Sequence, residues 1–323
     1  MANYQNLTIK KKTLVVFLIA IVIAALSSLE LFGVGPDRIQ YEGYFNKITK
    51  YDFDSRYESG FEYFNIIIKT LFGSASFPLL VFLIVFLSLF IKLNFYSRRG
   101  DWPILILIYS LCILVLYEFI QIRVAFAAAF CMISVAEACK IRSSFTRKSL
   151  WFLIALSFHT TSILFIPFIY LNSIFKKSNR FYILIILSLA FLIGYFSKNI
   201  LISITDGYLE TLINLMSKDK AGEQVTIFSI RNIVLLLVMF IGFIRVKDIN
   251  KNTLPFFYIS LMGFVLWFGL LWFPMLAHRT LELTMFSTLV WLPEIKKDYR
   301  IIAYISLISF GSYYTYNLLT YFV

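Results

Sequence analysis

The sequence predicts an all-α protein, a polytopic membrane helix bundle of about nine or ten transmembrane helices, and three observations carry that prediction. Hydrophobic residues make up 60% of the 323, and the mean hydropathy is +0.80. Apolar runs of about 17 to 23 residues recur, each long enough to cross a hydrocarbon core of about 30 Å. The runs are continuously apolar and do not alternate, so helices and not barrel strands are the spanning element.

Charged residues punctuate the runs and place the spans near 13–33, 77–96, 102–119, 123–139, 149–172, 181–197, 226–245, 253–275, 279–294 and 301–322. All lie in one integral membrane domain, 1–323. The first run is too long for a signal peptide and lacks a small-residue cleavage site, so it reads as a retained span. Cys112, Cys131 and Cys139 fall within or at the end of helices, which implies neither a disulfide framework nor a metal site. No internal repeat or low-complexity tract stands out.

The net charge of +12 would suggest nucleic acid in a soluble protein. Its distribution points to topology. Six short segments hold nineteen of the 30 basic residues: Lys10 to Lys12; Lys92, Arg98 and Arg99; Lys140, Arg142, Arg147 and Lys148; Lys176, Lys177 and Arg180; Arg245, Lys247 and Lys251; and Lys296, Lys297 and Arg300. With five acids nearby these segments balance at +14, and the rest of the chain balances at −2. The positive-inside rule makes the segments cytoplasmic. It also places the N-terminus in the cytoplasm and predicts a multi-pass membrane protein that does not bind nucleic acid.

A single helix at 149–172 would put two of these basic segments on opposite sides. Two full crossings need about 40 residues, so the charges favour a re-entrant hairpin that enters about halfway, breaks near His159-Thr160-Thr161 and returns. The alternative is one ordinary helix with a misplaced basic loop. With the hairpin, two loops fall outside, at about 34–76 and 198–225. The first is rich in aromatics, including Tyr41, Tyr44, Tyr57 and Phe61. From Gly60 to Phe72 it reads as an interfacial amphipathic helix, with Phe61, Phe64, Ile67, Ile68 and Leu71 at helical spacing.

Isolated polar groups then gather toward one side. Glu118, Gln121 and Arg123 lie at an external turn, Arg231 sits in the outer part of its helix, and His278, Arg279 and Glu282 open a descending one. Asp37, Arg38 and Glu58 belong to the first loop, and His159 to the hairpin tip. Charges in or beside a membrane are costly and face a bundle interior or an aqueous cavity. Three separated guanidinium groups suit a polyanion, because each offers phosphate a fixed fork and keeps its proton. Each group also has a plain reading. Arg123 can snorkel or pair with Glu118, Arg231 can form a structural ion pair, and Arg279 with Glu282 can be a local helix pair. His159 can be a satisfied buried histidine, His278 an interfacial one, and the loop aromatics a cover for the core.

The ordered pattern Gly35-x-Asp37-x-x-x-Tyr41, Glu58-x-Gly60-Phe61, Gln121-x-Arg123-x-Ala125 with its small-residue run, Phe158-His159-x-x-Ser162, and Arg279 before an apolar helix ending in Pro293 resembles the EpsG family and related Wzy-type O-antigen and capsule polymerases. The resemblance implies a membrane glycosyltransferase that joins oligosaccharide repeat units carried on undecaprenyl diphosphate at the outer face of the bacterial cytoplasmic membrane, with no metal or other cofactor. It also implies a flippase and a chain-length regulator of the same pathway as partners. In that chemistry Arg123, Arg231 and Arg279 fall to the diphosphates and His159 to acceptor activation or phosphate contact. Asp37 and Glu58 are alternatives for the base, and Gln121, Glu118 and Glu282 support the site. A lipid-linked oligosaccharide flippase and a membrane acyltransferase acting on surface glycan are the rival readings.

Overall fold

The computed structural model describes residues 2–30, 36–49, 57–176, 183–185, 187–189, 191–192, 194–196, 229–272 and 274–322. It is helical, with no strand among the described residues. Among the described residues four helices are long and apolar enough to cross a membrane: Lys11–Ser28, Ser74–Ser97, Trp102–Ile120 and Ile122–Cys139. The protein is a multi-pass membrane protein with an all-α fold. The chain divides into two compact units, residues 1–172 with 300–323, and residues 173–299.

The first unit contains α1 (Ala2–Ser28), α2 (Pro36–Lys47), α3 (Ser59–Phe72), α4 (Phe77–Ser97), α5 (Trp102–Tyr109), α6 (Ile122–Cys139), α7 (Phe145–Phe158) and α8 (Ile166–Tyr170). Proline in the first turn of α4 and α5 supplies the helical φ where no amide partner is needed. From Ser110 to Ile120, α5 continues as a π-helix. Burial ranks the helices: 89% of Ile122–Cys139 is buried but only 22% of Lys11–Ser28. The run Ala127 to Ala129 in α6 lets neighbouring backbones approach, so α6 is the central helix. By contrast, α1 leaves Leu14, Val15, Leu18 and Val22 outward, as a lipid-facing helix does. The helix Lys297–Phe322 returns from Arg300 along α5, where Thr315 Oγ1 donates to the Leu111 carbonyl at 2.5 Å and Arg300 meets Asp101 at 3.1 Å.

The segment after α6 turns back on itself. Helix α7 stops at His159, whose extended backbone (φ −158°, ψ 114°) breaks the winding, and a 3₁₀ stretch, Thr160–Phe165, leads into α8. Lys148 Nζ donates to the Ile169 carbonyl at 3.0 Å, Asn172 Nδ2 reaches Cys139 Sγ at 3.2 Å, and the Phe152 and Tyr170 rings are 6.3 Å apart. The chain therefore comes back to the end from which it left. It reaches further than halfway. The 14 residues of α7 rise about 21 Å, and the Phe158 ring packs tilted against that of Phe126, near the start of α6, at 4.3 Å. The returning leg manages this with fewer residues because a 3₁₀ turn rises about 2.0 Å per residue against 1.5 in an α-helix.

The first loop is more ordered than expected, since its first half forms α2. Helix α3 occupies the predicted amphipathic stretch, but only part of the apolar stripe packs inward. Phe61, Glu62, Asn65 and Ile68 are buried while Ile67 and Leu71 stay exposed. One edge of the helix lies on the protein and the other faces outward, the arrangement of an interfacial helix. Gly73 ends it at φ +85°, where a side chain would be strained.

In the second unit, α9 (Ile230–Ile244), α10 (Leu254–Gly269) and α11 (Pro274–Met285) are each shorter than their predicted spans. The expected helix at 279–294 divides. Pro274 starts α11 five residues early, and a separate turn, Thr288–Trp291, follows. His278 and Arg279 therefore lie within a helix and do not open one. The predicted loop at 198–225 lies outside the described residues.

Candidate functional site

Glu58, Arg123 and His159 come from three distant parts of the chain and meet in the first unit. Glu58 is the extended residue before α3, Arg123 lies in the first turn of α6, and His159 sits at the hairpin break. The Glu58 carboxylate takes three contacts. Its Oε2 accepts from Arg123 Nη1, while its Oε1 is 3.2 Å from His159 Nδ1 and 3.1 Å from the Thr160 amide. The side chains are 13%, 11% and 4% exposed respectively, so the cluster lies at the surface's edge, and His159 is its most enclosed member.

The Arg123 guanidinium is held on its faces as well. It stands over the rings of Tyr57, Tyr41 and Phe61 at 4.9, 5.1 and 5.5 Å, within cation–π range of each. Those rings belong to a braced loop. Lys69 Nζ donates to the carbonyls of Phe45, Asn46 and Ile48 at 2.9, 2.9 and 3.0 Å, closing the C-terminus of α2. Arg38 donates to the Ser27 and Ser28 carbonyls and meets Glu30 at 3.1 Å, tying α2 to the end of α1. Tyr44 donates to Glu62 at 2.8 Å across α2 and α3.

Electrostatics fix the proton inventory. Burial works against a Glu58 charge, but the His159 hydrogen bond, the Arg123 and His159 charges and the Thr160 amide outweigh it and hold the carboxyl down at about 2. An ionised carboxylate only accepts, so His159 Nδ1 carries the hydrogen of their contact, and in the neutral ring Nε2 is the basic nitrogen. Around the cluster, Arg123 Nε, Gln121 Oε1 and Thr161 Oγ1 are buried without a hydrogen-bond partner among the described residues.

The other expected residues have surroundings of their own. Glu118 faces Lys92 at 2.8 Å, with neither side chain exposed. Arg123 therefore pairs with Glu58 and not with Glu118, and Lys92 is no part of a cytoplasmic basic segment. A lysine inside the apolar run at 77–96 was the sequence signal for that buried pair. Asp37 lies half-buried in the first turn of α2. In the second unit, Arg231 Nη2 meets His278 Nδ1 at 2.8 Å, Arg279 follows half-buried on α11, and Glu282 is buried one turn later. The aromatic wall around Arg123 was visible only as an aromatic-rich loop, since no spacing in the sequence joins residues 41, 57 and 61 to residue 123.

A search of curated proteins and a search of solved structures each return no match. The model of one protein family, the EpsG family, matches residues 13–322, nearly the whole chain. The protein belongs to the EpsG family.

Proposed function

We propose that this protein is a polysaccharide polymerase, a membrane glycosyltransferase that joins oligosaccharide repeat units carried on undecaprenyl diphosphate at the external face of the bacterial cytoplasmic membrane. Membership of the EpsG family supports the polymerase class, and the Glu58–His159 contact is the observation that carries the chemistry. In the reaction a sugar hydroxyl of the acceptor unit attacks the anomeric carbon of the donor. The new oxygen–carbon bond forms, the bond to the diphosphate breaks, and the released lipid diphosphate keeps that electron pair. The hydroxyl proton passes to a base.

His159 suits that base. Glu58 orients the ring through Nδ1 and stabilises the imidazolium that forms, while Nε2 takes the proton. Glu58 itself, held ionised at about 2, is too weak a base for the task. Arg123 is committed to Glu58 and its aromatic wall, which makes it a holder of the carboxylate. Arg231 and Arg279 are assigned to lipid diphosphate on guanidinium chemistry. Asp37 is a secondary candidate.

Purified protein in liposomes that carry a lipid-linked repeat unit on the outer leaflet tests this. Longer lipid-linked glycans should form without ATP or added metal, and His159→Gln should slow them by about 10²- to 10⁴-fold. Lipid translocation without elongation would establish the flippase reading, and transfer of an acyl group to the glycan the acyltransferase reading.

A further inference from the structure

The Glu118 carboxylate gathers three side-chain donors, and the mechanism above does not use it. Its Oε1 receives Tyr109 at 2.6 Å, Lys92 at 2.8 Å and Ser88 at 3.1 Å, and its backbone carbonyl receives Ser27 Oγ at 2.8 Å. Helices α1 and α4 and the start of its own helix thus converge on one residue. Five positions on stands Arg123.

The winding between Tyr109 and Glu118 explains why this matters. The two residues are nine apart, and at 3.6 residues per turn that separation puts them on opposite faces of an α-helix. Here they share a face because Ser110–Ile120 is a π-helix, eleven residues long, closing with the Gln121 amide on the Leu116 carbonyl at 2.8 Å. Such a long π stretch is rare. The Tyr109–Glu118 bond and the wide winding require each other. If Glu118 lost its bonds, the segment could rewind toward α-helix, which would rotate the turn at Gln121 (φ −103°, ψ 55°) and everything that leaves it.

We infer that Glu118, held by Lys92 and Tyr109, is a positioning residue that fixes the turn at Gln121 from which Arg123 reaches Glu58. It touches no reacting atom, and its effect on the site passes through Arg123. One readout of the test rests on the polymerase proposed above, and a second does not. The chain has two histidines, so ¹⁵N-histidine labelling gives two ring systems, and His278→Gln identifies that of His159.

Tyr109→Phe removes a single hydroxyl, and Glu118→Gln removes the charge while keeping the shape. In folded protein each should shift the His159 resonances and slow elongation by about 10- to 100-fold, the scale of a displacement of about 1 Å. In an Arg123→Lys background neither should slow elongation further, because both act through Arg123. Unmoved His159 resonances in folded Tyr109→Phe would overturn the inference, and so would losses that multiply in the Arg123→Lys background. If Glu118→Gln fails to fold, Tyr109→Phe decides alone. Shifted resonances in a protein that makes no polymer would sink the polymerase and leave the positioning standing, and elongation with unmoved resonances would do the reverse.

Discussion

Ser149 Oγ and the Tyr170 hydroxyl, twenty-one residues apart, lie 2.8 Å from each other. That contact, with the bond from Lys148 to Ile169, closes the hairpin at its base. Cysteines placed at Ser143 and Leu171, both exposed, in a background with the buried Cys112, Cys131 and Cys139 changed to Ala, should react with an impermeant maleimide from the same side of the membrane. Reaction from opposite sides would mean that the segment crosses.

The Glu58 carboxyl makes a statement about stability as well as chemistry. Its folded value of about 2 lies below the ordinary 4.5, so ionisation favours the folded state. The sign is that of a depressed acid. The stabilisation is fully present above pH 4.5 and is lost as pH falls toward 2. Melting temperatures of wild type and Glu58→Gln in detergent should therefore differ by a constant amount above pH 4.5 and converge below it. A gap that opens as pH falls would mean that Glu58 is protonated in the folded protein.

The sequence made the bundle legible because hydropathy and charge act residue by residue. The runs now forming α4, α5 and α6 needed only their length and composition. The hairpin followed from charge parity, and its break from three polar residues in an apolar run. The partners were not legible. Arg123 was expected at a diphosphate or against Glu118, since residues 118 and 123 are close in sequence, yet its carboxylate comes from Glu58, 65 positions away. Only the packing of α3 across the hairpin tip brings that pair together. Lys92 was grouped with the basic loop that follows it because its neighbours in sequence are basic, while its neighbour in space is Glu118. Hydropathy windows average over such a residue, and its burial depends on the fold.

Gly60 marks where α3 crosses the hairpin. A Cβ built there would stand 2.3 Å from Ser157 Oγ and 2.6 Å from the Ser157 carbonyl oxygen, closer than any ordinary contact. Gly60→Ala must push α3 off the end of α7, and two residues before Gly60 is Glu58. We expect a loss of about 1–3 kcal/mol in stability, the usual cost of overpacking. We also expect a drop in elongation larger than that loss explains, because the Glu58–His159 contact opens. Ser157→Gly removes the hydroxyl and Cβ but leaves the carbonyl, so it should restore only part of both. Wild-type melting and activity in Gly60→Ala would show that the two helices are not in close contact.

The second unit supplies the last test. Arg231 donates to His278 Nδ1, which makes that nitrogen the acceptor and places the neutral ring's proton on Nε2. If His278 serves to orient Arg231, His278→Gln, whose amide oxygen can accept in its place, should keep most activity, and His278→Leu should lose it. Arg279 bears the diphosphate assignment directly. Arg279→Ala should slow elongation by about 10²- to 10³-fold, the loss typical of removing one preorganised donor to a developing anion, at unchanged membrane abundance. Lys at the same position should recover only part, since an ammonium is a point charge without the planar fork that matches two phosphate oxygens. Full activity in Arg279→Ala would remove it from the reaction and leave Arg231, with its imidazole partner, to carry the diphosphate assignment.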